Sequence, residues 1–248
     1  MAKLPKVLAR EPLVDAIFEV RLGGDPQMAD ILPGILFEKL DPKPKLQRLP
    51  PAEIPKPIRA QDPNLVFAPL VRLDLADFGI SFGDRNMVIA CKLPYPKWPR
   101  FREFIDKIVQ LVASVGLSGH VERYSLKYVN LIEASDVADQ IAKIDMHIRI
   151  GEVDVDADHV SLRVQKLENA ILHIISVQTG AQARLENGKE LNGVLVDVDS
   201  ILTVDNQDFS TFSKGLASEI ENLREENKVK FFSSLTEETI KEMGPEYD

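Results

Sequence analysis

Two long amphipathic helices are predicted along the chain, and each follows a series of short strand-like segments. The first helix carries apolar residues at three- and four-residue spacing between Phe101 and Val112, and the second repeats this pattern between Phe209 and Leu223. The strand-like segments alternate apolar and polar residues and are joined by short turns, which is typical of antiparallel pairing. Because one face of such a sheet must be covered, the sequence predicts an α+β fold with a curved antiparallel sheet backed by two long helices.

The order of predicted elements is the same in both halves of the chain: a strand, a short helix, further strands and a long helix. The long helices share an F-x-x-F start, and their first residues, Phe101 and Phe209, lie 108 positions apart. The opening strands, near Pro12 and Tyr124, lie 112 positions apart. We interpret this agreement as an internal duplication of β-α-β(n)-α units. The alternative is a chance likeness between two amphipathic helices.

The duplication predicts two α+β repeats, residues 1–119 and 120–248, packed as one globular unit. Their strands would form a saddle that resembles TATA-binding-protein-like and helix-grip folds. A fold resemblance of this kind carries no function by itself.

Residues 42–63 contain seven of the 16 prolines of the chain. Proline lacks the backbone N–H that helices and sheet ladders require, so we expect an extended, Pro-rich loop within the first repeat. Two interpretations are open. The segment is either a surface loop or a polyproline II ligand for a partner.

The charge of the chain limits the class of partner. There are 39 acidic and 30 basic residues, which give a formal net charge of −9. A nucleic-acid partner is therefore not expected, because binding along phosphates needs clustered Lys and Arg. No apolar run approaches the roughly 20 residues that span a bilayer, and the N-terminal residues do not resemble a signal peptide. With Cys91 as the only cysteine, we expect a cytoplasmic protein that has no membrane contact.

Familiar catalytic and metal-binding motifs are missing from the sequence. A calcium loop starting at Asp154 would need Gly and Glu where His159 and Gln165 stand. The four histidines lack the spacing of metal ligands, and no nucleotide-binding loop or hydrolase motif occurs. His173 is expected to be a hydrogen-bonded core or sheet residue. We therefore expect no cofactor and no metal, and we favour a protein that is not an enzyme.

The strand predicted over residues 121–134 is rich in polar side chains. Arg123 and Lys127 share one face and could bind an anion or an acidic partner, whereas Tyr128 and Asn130 share the other face. Arg21, beside Glu19 on the equivalent strand of the first repeat, would lie nearby by pseudo-symmetry. The alternative is cross-strand ion pairing on a solvated sheet face.

Asp197 and Asp199 alternate with valines in the same manner and are interpreted either as a two-carboxylate site or as a solvated face. The candidate ligand- or partner-binding residues are Arg21, Arg123, Lys127, Tyr128, Asn130, Asp197 and Asp199.

Two motifs carry a family resemblance: P-L-x-[DE]-A-I-F-E-[VI]-R within Glu11–Arg21, and R-Y-x-x-[RK]-Y-x-N over Arg123–Asn130. With weaker matches at residues 196–199 and 231–236, the chain resembles a sporadically distributed bacterial family of similar length and uncharacterised function. That family often has a Leu-His pair in its last helix, where this chain has Leu223 followed by Arg224. The resemblance implies no established activity, and the patchy distribution suggests an accessory, mobile or defence-linked role.

Three hypotheses for the function follow from these patterns. The first is a non-enzymatic binding protein, such as the inhibitor or accessory member of a toxin–antitoxin or phage-defence pair. The second is a small-molecule binder or enzyme that uses a cavity between the sheet and the long helices. The third is nucleic-acid binding through a saddle face, which the net charge disfavours. A homodimer is a reasonable expectation, since symmetric dimers are the commonest assembly.

Overall fold

The computed structural model describes residues 4–184, 188 and 190–247. The strands are β1 Val7–Leu8, β2 Leu13–Gly23, β3 Lys45–Arg48, β4 Val71–Asp74, β5 Phe78–Phe82, β6 Asn86–Cys91, β7 His120–Glu133, β8 Arg149–Ile150, β9 Val153–Asp154, β10 Ser161–Glu168, β11 Ile171–Arg184, β12 Glu190–Gln207 and β13 Pro245–Glu246. The helices are α1 Met28–Lys39, α2 Lys56–Gln61, α3 Trp98–Ala113, α4 Val137–Ala142, α5 Phe209–Ser233 and α6 Glu237–Glu242.

Within the described residues, the main sheet has nine strands in the order β10-β11-β12-β7-β2-β6-β5-β4-β3. The hairpins β10–β11 and β5–β6 and the pairs β4–β5, β3–β4 and β2–β6 are antiparallel. Two small sheets, β1–β13 and β8–β9, accompany the main sheet. The predicted α+β class, with a large antiparallel sheet and several helices, is confirmed. Among the described residues, no helix combines the length and apolar character needed to cross a membrane.

The chain forms two compact units, and neither is one continuous stretch of sequence. Unit 1 consists of the chain up to Ala16, residues Lys127–Ile201 and the chain from Asn222 onward. Unit 2 consists of Ile17–Leu126 and Leu202–Glu221. Strands β2, β7 and β12 and helix α5 therefore each contribute residues to both units.

The core of unit 2 forms between sheet strands and long helices. Alternation along β2 buries Phe18, Val20 and Leu22 completely, as the sequence predicts. The ring of Tyr124 on β7 lies 6.5 Å from that of Phe18 and 5.3 Å from that of Phe212 on α5. This face of β2 is therefore the helix-covered face, and the residues between the buried ones lie on the opposite face.

The core of unit 1 forms around β12. Val194, Val196 and Val198 are fully buried and belong to one apolar cluster with Phe231 and Phe232 at the end of α5. The positions that alternate with the valines, Leu195, Asp197 and Asp199, are half-buried. The alternation predicted for this strand is thus present in its burial pattern.

The Pro-rich segment differs from the predicted extended loop. Residues 42–63 contain β3, a 3-10 helix over Pro50–Glu53 and the short helix α2. Prolines occupy the first turns of both helices, where the missing N–H has no partner in any case. The segment is also held from outside, because Arg59 on α2 forms a buried ion pair with Asp84.

Candidate partner-binding site

Charged side chains from β2, β7 and the turn before β6 meet in unit 2, together with Asn86 at the start of β6. Glu19 and Arg21 lie on the face of β2 opposite its buried residues, and Arg21 stands directly across from Asn86 on β6. Near the start of β7 the alternation breaks: Val121 and Tyr124 are both fully buried although three positions apart. We call Glu19, Arg21, Arg85, Asn86, Glu122 and Arg123 the arginine cluster.

Glu19 is the centre of the arginine cluster. Its Oε2 accepts hydrogen bonds from Arg21 Nε at 2.9 Å and from Arg123 Nη2 at 3.2 Å. Its Oε1 accepts a third from Asn86 Nδ2 at 3.0 Å. The side chain of Glu19 is 15% exposed, and both arginine side chains are 25% exposed. Two cations thus share one carboxylate at a position that solvent still reaches.

An aromatic ring fixes the orientation of Arg21. The Arg21 guanidinium carbon lies 3.9 Å from the ring centroid of Phe67, and that of Arg85 lies 5.8 Å from the same centroid. Asn86 Nδ2 also donates to the carbonyl oxygen of Phe67 at 3.2 Å, which holds the turn carrying the ring. A guanidinium stacked in this way gains cation–π energy and loses rotational freedom.

Arg85 has a carboxylate of its own. Its Nη2 donates to Glu122 Oε1 at 2.9 Å, and its Nε donates to the carbonyl oxygen of Leu22 at 2.9 Å. Gly23 permits this arrangement, because a Cβ there would lie 2.2 Å from His120 Nε2 and 2.5 Å from Glu122 Oε1. The uncompensated positive charge therefore belongs to the Arg21–Arg123 pair.

Lys127 forms an ion pair with Asp197 in unit 1 and does not join the arginine cluster. Its Nζ lies 2.7 Å from Asp197 Oδ2, which neutralises the ammonium. This pair is the cross-strand ion pairing that the sequence left as an alternative. Among the described residues, no group of three or more His, Cys, Asp or Glu side chains is arranged to hold a metal ion, and Asp197 and Asp199 form no such group.

Tyr128 and Asn130 are interior residues of unit 1. Each is only 5% exposed, and Asn130 Nδ2 donates to the carbonyl oxygen of Val196 at 3.4 Å. The Arg224 guanidinium carbon lies 4.7 Å from the ring centroid of Tyr128. Of the predicted site residues, the structure thus brings Arg21 together with Arg123 and pairs Lys127 with Asp197.

A buried polar layer in unit 1 involves His173, Ser200 and Asn227. His173 is fully buried, as a core residue was predicted to be, and its Nδ1 lies 2.9 Å from Ser200 Oγ. Asn227 on α5 donates from Nδ2 to Ser200 Oγ and to the carbonyl oxygen of Val198, both at 2.9 Å. Burial lowers the pKa of His173, and the nearby Lys230 ammonium lowers it further.

Sequence reasoning missed Arg85, Asn86, Glu122 and Phe67. Asn86 could have been found, since residues 83–86 have the sequence of a turn and an asparagine side chain both donates and accepts hydrogen bonds. Glu122 could not have been found in this way, because strict alternation assigns it to the opposite face from Arg123.

Comparison of the sequence with protein-family models gives no match, and comparison with curated proteins gives none either.

Proposed function

We propose that this is a non-enzymatic binding protein that docks a protein partner on the sheet face carrying the arginine cluster. The observation that supports this most directly is the sharing of one carboxylate, Glu19, by Arg21 and Arg123 in a partly exposed position. Interface energy concentrates at such residues, because arginine offers a planar fork of donors on a rigid base.

The chemistry of the cluster favours recognition over catalysis. Arginine stays protonated at every physiological pH, so neither Arg21 nor Arg123 can serve as a general base. Glu19 already accepts three hydrogen bonds, which hold it in place as a structural anion. The remaining donors are suited to holding a group rather than transforming it.

The proposal includes the internal duplication and the saddle. The strand order supports it: β6, β5 and β4 follow β2 on one side of the sheet in the same way that β12, β11 and β10 follow β7 on the other. Along the chain, β2 and β7 are each followed by a helix, then further strands and then a long helix, α3 or α5. The equivalent strands β2 and β7 are neighbours, and the arginine cluster is built on both.

Within this function, we propose the role of inhibitor or accessory member of a toxin–antitoxin or phage-defence pair. The family resemblance supports a defence-linked role, and the net charge of −9 suits a partner that is basic overall. The arginine cluster places a local positive charge on a protein that is acidic overall. A partner would therefore contact groups of both signs, which favours specific pairing.

The test is an affinity pull-down of the tagged full-length protein from its own cells at moderate salt. Three forms are compared: wild type, an Arg21→Glu/Arg123→Glu double variant, and Lys241→Glu as the control on α6, where the Lys241 side chain is 75% exposed. We expect one stoichiometric protein with the wild type and the control, and its loss from the double variant. A partner that the double variant retains, or no partner at all, would contradict the proposal.

The inhibitor role has its own test. Expression of the recovered partner alone should arrest growth, and co-expression with this protein should restore it. A partner that is harmless when expressed alone would argue against the inhibitor role and leave the binding function standing.

A further inference from the structure

We propose that the arginine cluster recognises a carboxylate of the partner, an Asp or Glu side chain, through the N–H groups of Arg21 and Arg123 that Glu19 does not occupy. This inference rests on the proposed function and assigns the partner chemistry at the same site. A guanidinium has five N–H donors. Arg21 reaches Glu19 through Nε and Arg123 through one Nη nitrogen, and within the described residues neither forms another hydrogen bond.

The unused donors belong to side chains that solvent partly reaches. Both arginine side chains are 25% exposed, whereas Glu19 beneath them is 15% exposed. The Nε of Arg123 is buried and lacks a hydrogen-bond partner among the described residues, so its guanidinium is held at one nitrogen only.

Charge balance selects a carboxylate over a phosphate. Arg85 is neutralised by Glu122, which leaves Arg21 and Arg123 against the single charge of Glu19. One further carboxylate makes the site neutral. A phosphate group carries about −1.5 to −2 at pH 7, which exceeds the single positive charge that the site leaves unbalanced.

The site is organised before the partner arrives. Phe67 stacks on Arg21, and Asn86 fixes Glu19, which in turn aligns both guanidinium groups. Little side-chain entropy is then lost on binding, which is the usual advantage of a pre-formed site. A net charge of −9 opposes any general attraction of acidic peptides, so binding of such a peptide would report a local site.

The experiment uses the full-length protein, 15N-labelled, and a glutamate hexapeptide with blocked termini as the probe. Binding is followed by the side-chain Nε–H signals of the arginines in NMR and by calorimetry. We expect the signals of Arg21 and Arg123 to shift along one saturation curve. Removal of a charge-assisted hydrogen bond should weaken binding by about tenfold or more in Arg21→Gln and in Arg123→Gln.

Three further variants sharpen the test. Glu19→Gln keeps an amide acceptor but removes the resident negative charge, so it should tighten peptide binding several-fold. Arg72→Gln is the matched control, because Arg72 on β4 forms a comparable ion pair with Asp74 at 3.0 Å outside the cluster. The affinity of the Arg72→Gln protein for the peptide should stay within about twofold of that of the wild type. If a Gln variant unfolds, Arg21→Lys replaces it, because lysine keeps the positive charge but lacks the planar set of guanidinium donors. This variant should bind the peptide more weakly than the wild type does.

Several outcomes would overturn the inference: no saturable shift of the two arginine signals, weaker binding in Glu19→Gln, equal losses in Arg72→Gln, or tighter binding of a matched phosphoserine peptide. Its failure is distinguishable from that of the proposed function. A partner captured by wild type and retained by Arg21→Gln and Arg123→Gln overturns the carboxylate site alone. Peptide binding with the expected variant pattern, but no partner in cells, overturns the proposed function alone.

Discussion

At the scale of single residues, the clearest stabilising interaction lies between Arg59 and Asp84. Arg59 donates from Nε to Asp84 Oδ2 and from Nη2 to Asp84 Oδ1, both at 2.8 Å, and its Nη1 bonds the carbonyl oxygen of Ile54. The side chains are 8% and 12% exposed. This pair joins the Pro-rich segment to the turn between β5 and β6, so a structural role follows from its position.

Asp84→Asn should lower the free energy of unfolding by about 3–5 kcal/mol, because it leaves the buried Arg59 charge without the carboxylate that accepts two of its hydrogen bonds. Urea unfolding of both proteins measures the difference. The matched control is Glu237→Gln, which breaks the exposed Glu237–Lys241 pair, 92% and 75% exposed, and should cost at most about 1 kcal/mol. Equal losses in the two variants would contradict the assigned role.

His173 should make stability depend on pH. Its pKa in the folded state is lowered, chiefly by burial, so the folded protein binds this proton less readily than the unfolded chain does. The group's contribution is therefore complete above the ordinary pKa near 6.5 and is lost as the pH falls toward the lowered value. Lys230 opposes protonation, whereas Glu168 and Glu226 favour it.

The measurement is the melting temperature between pH 7.5 and pH 5 for the wild type and for His173→Gln. The fall in melting temperature toward low pH should be smaller in the variant, because glutamine does not titrate. A pH profile of the same slope in both proteins would show that His173 is not responsible.

At the scale of elements, two glycines that look alike in the sequence have opposite roles. A Cβ on Gly193 in β12 would lie 1.9 Å from the carbonyl oxygen of Ile132 in β7, a backbone atom that cannot move without opening the sheet. A Cβ on Gly34 in α1 would meet nothing within 4 Å.

Gly193→Ala should therefore cost at least about 4 kcal/mol or prevent folding, whereas Gly34→Ala should stabilise the protein by about 0.5–1 kcal/mol through helix propensity. Denaturant midpoints of the two variants test this. A stable, soluble Gly193→Ala protein would contradict the close approach of β12 and β7.

The elements could be predicted wherever the signal is local. The stripes of α3 and α5 gave their positions, and the N-cap residues Asp136 and Thr236 accept hydrogen bonds from the backbone N–H three residues on, which fixes the starts of α4 and α6. The Pro-rich segment was predicted wrongly as an extended loop, because Arg59 is held by a residue 25 positions away. The residues within the segment do not indicate that Arg59 forms an ion pair with Asp84.

The candidate site was predictable only in part, for a related reason. Strand alternation assigned Arg21 and Arg123 to exposed faces, and pseudo-symmetry placed them near each other. Their common partner, Glu19, lies 104 positions from Arg123, and the pairing depends on strand register. Strand register also explains why Lys127 forms an ion pair with Asp197 and is not part of the arginine cluster.

At the scale of the whole molecule, the compact units and the predicted repeats divide the chain differently. The repeats are residues 1–119 and 120–248, whereas unit 2 needs Leu202–Glu221 as well as Ile17–Leu126. Tyr124 and Phe212, in contact within the core of unit 2, both lie in the second predicted repeat. Neither repeat contains a whole unit.

We expect fragments 1–119 and 120–248 to be insoluble or unfolded when expressed separately and to form a soluble complex when co-expressed. Circular dichroism and size-exclusion chromatography test this. As the control, a protease site inserted at residues 116–119 and cleaved after folding should leave the two fragments associated. A fragment that folds alone would show that the repeats are independent domains.

The division of the units also bears on how the chain matures during synthesis. Translation at roughly 5–20 residues per second takes about 10–50 s to synthesise 248 residues. The hairpin of β5 and β6 is synthesised early. Unit 2 also requires the first half of α5, which is synthesised only after residue 208, and unit 1 requires the chain from residue 222 onward. The apolar faces of the early strands therefore stay exposed to solvent until synthesis is nearly complete. We expect chaperones that bind nascent chains to protect these faces from aggregation.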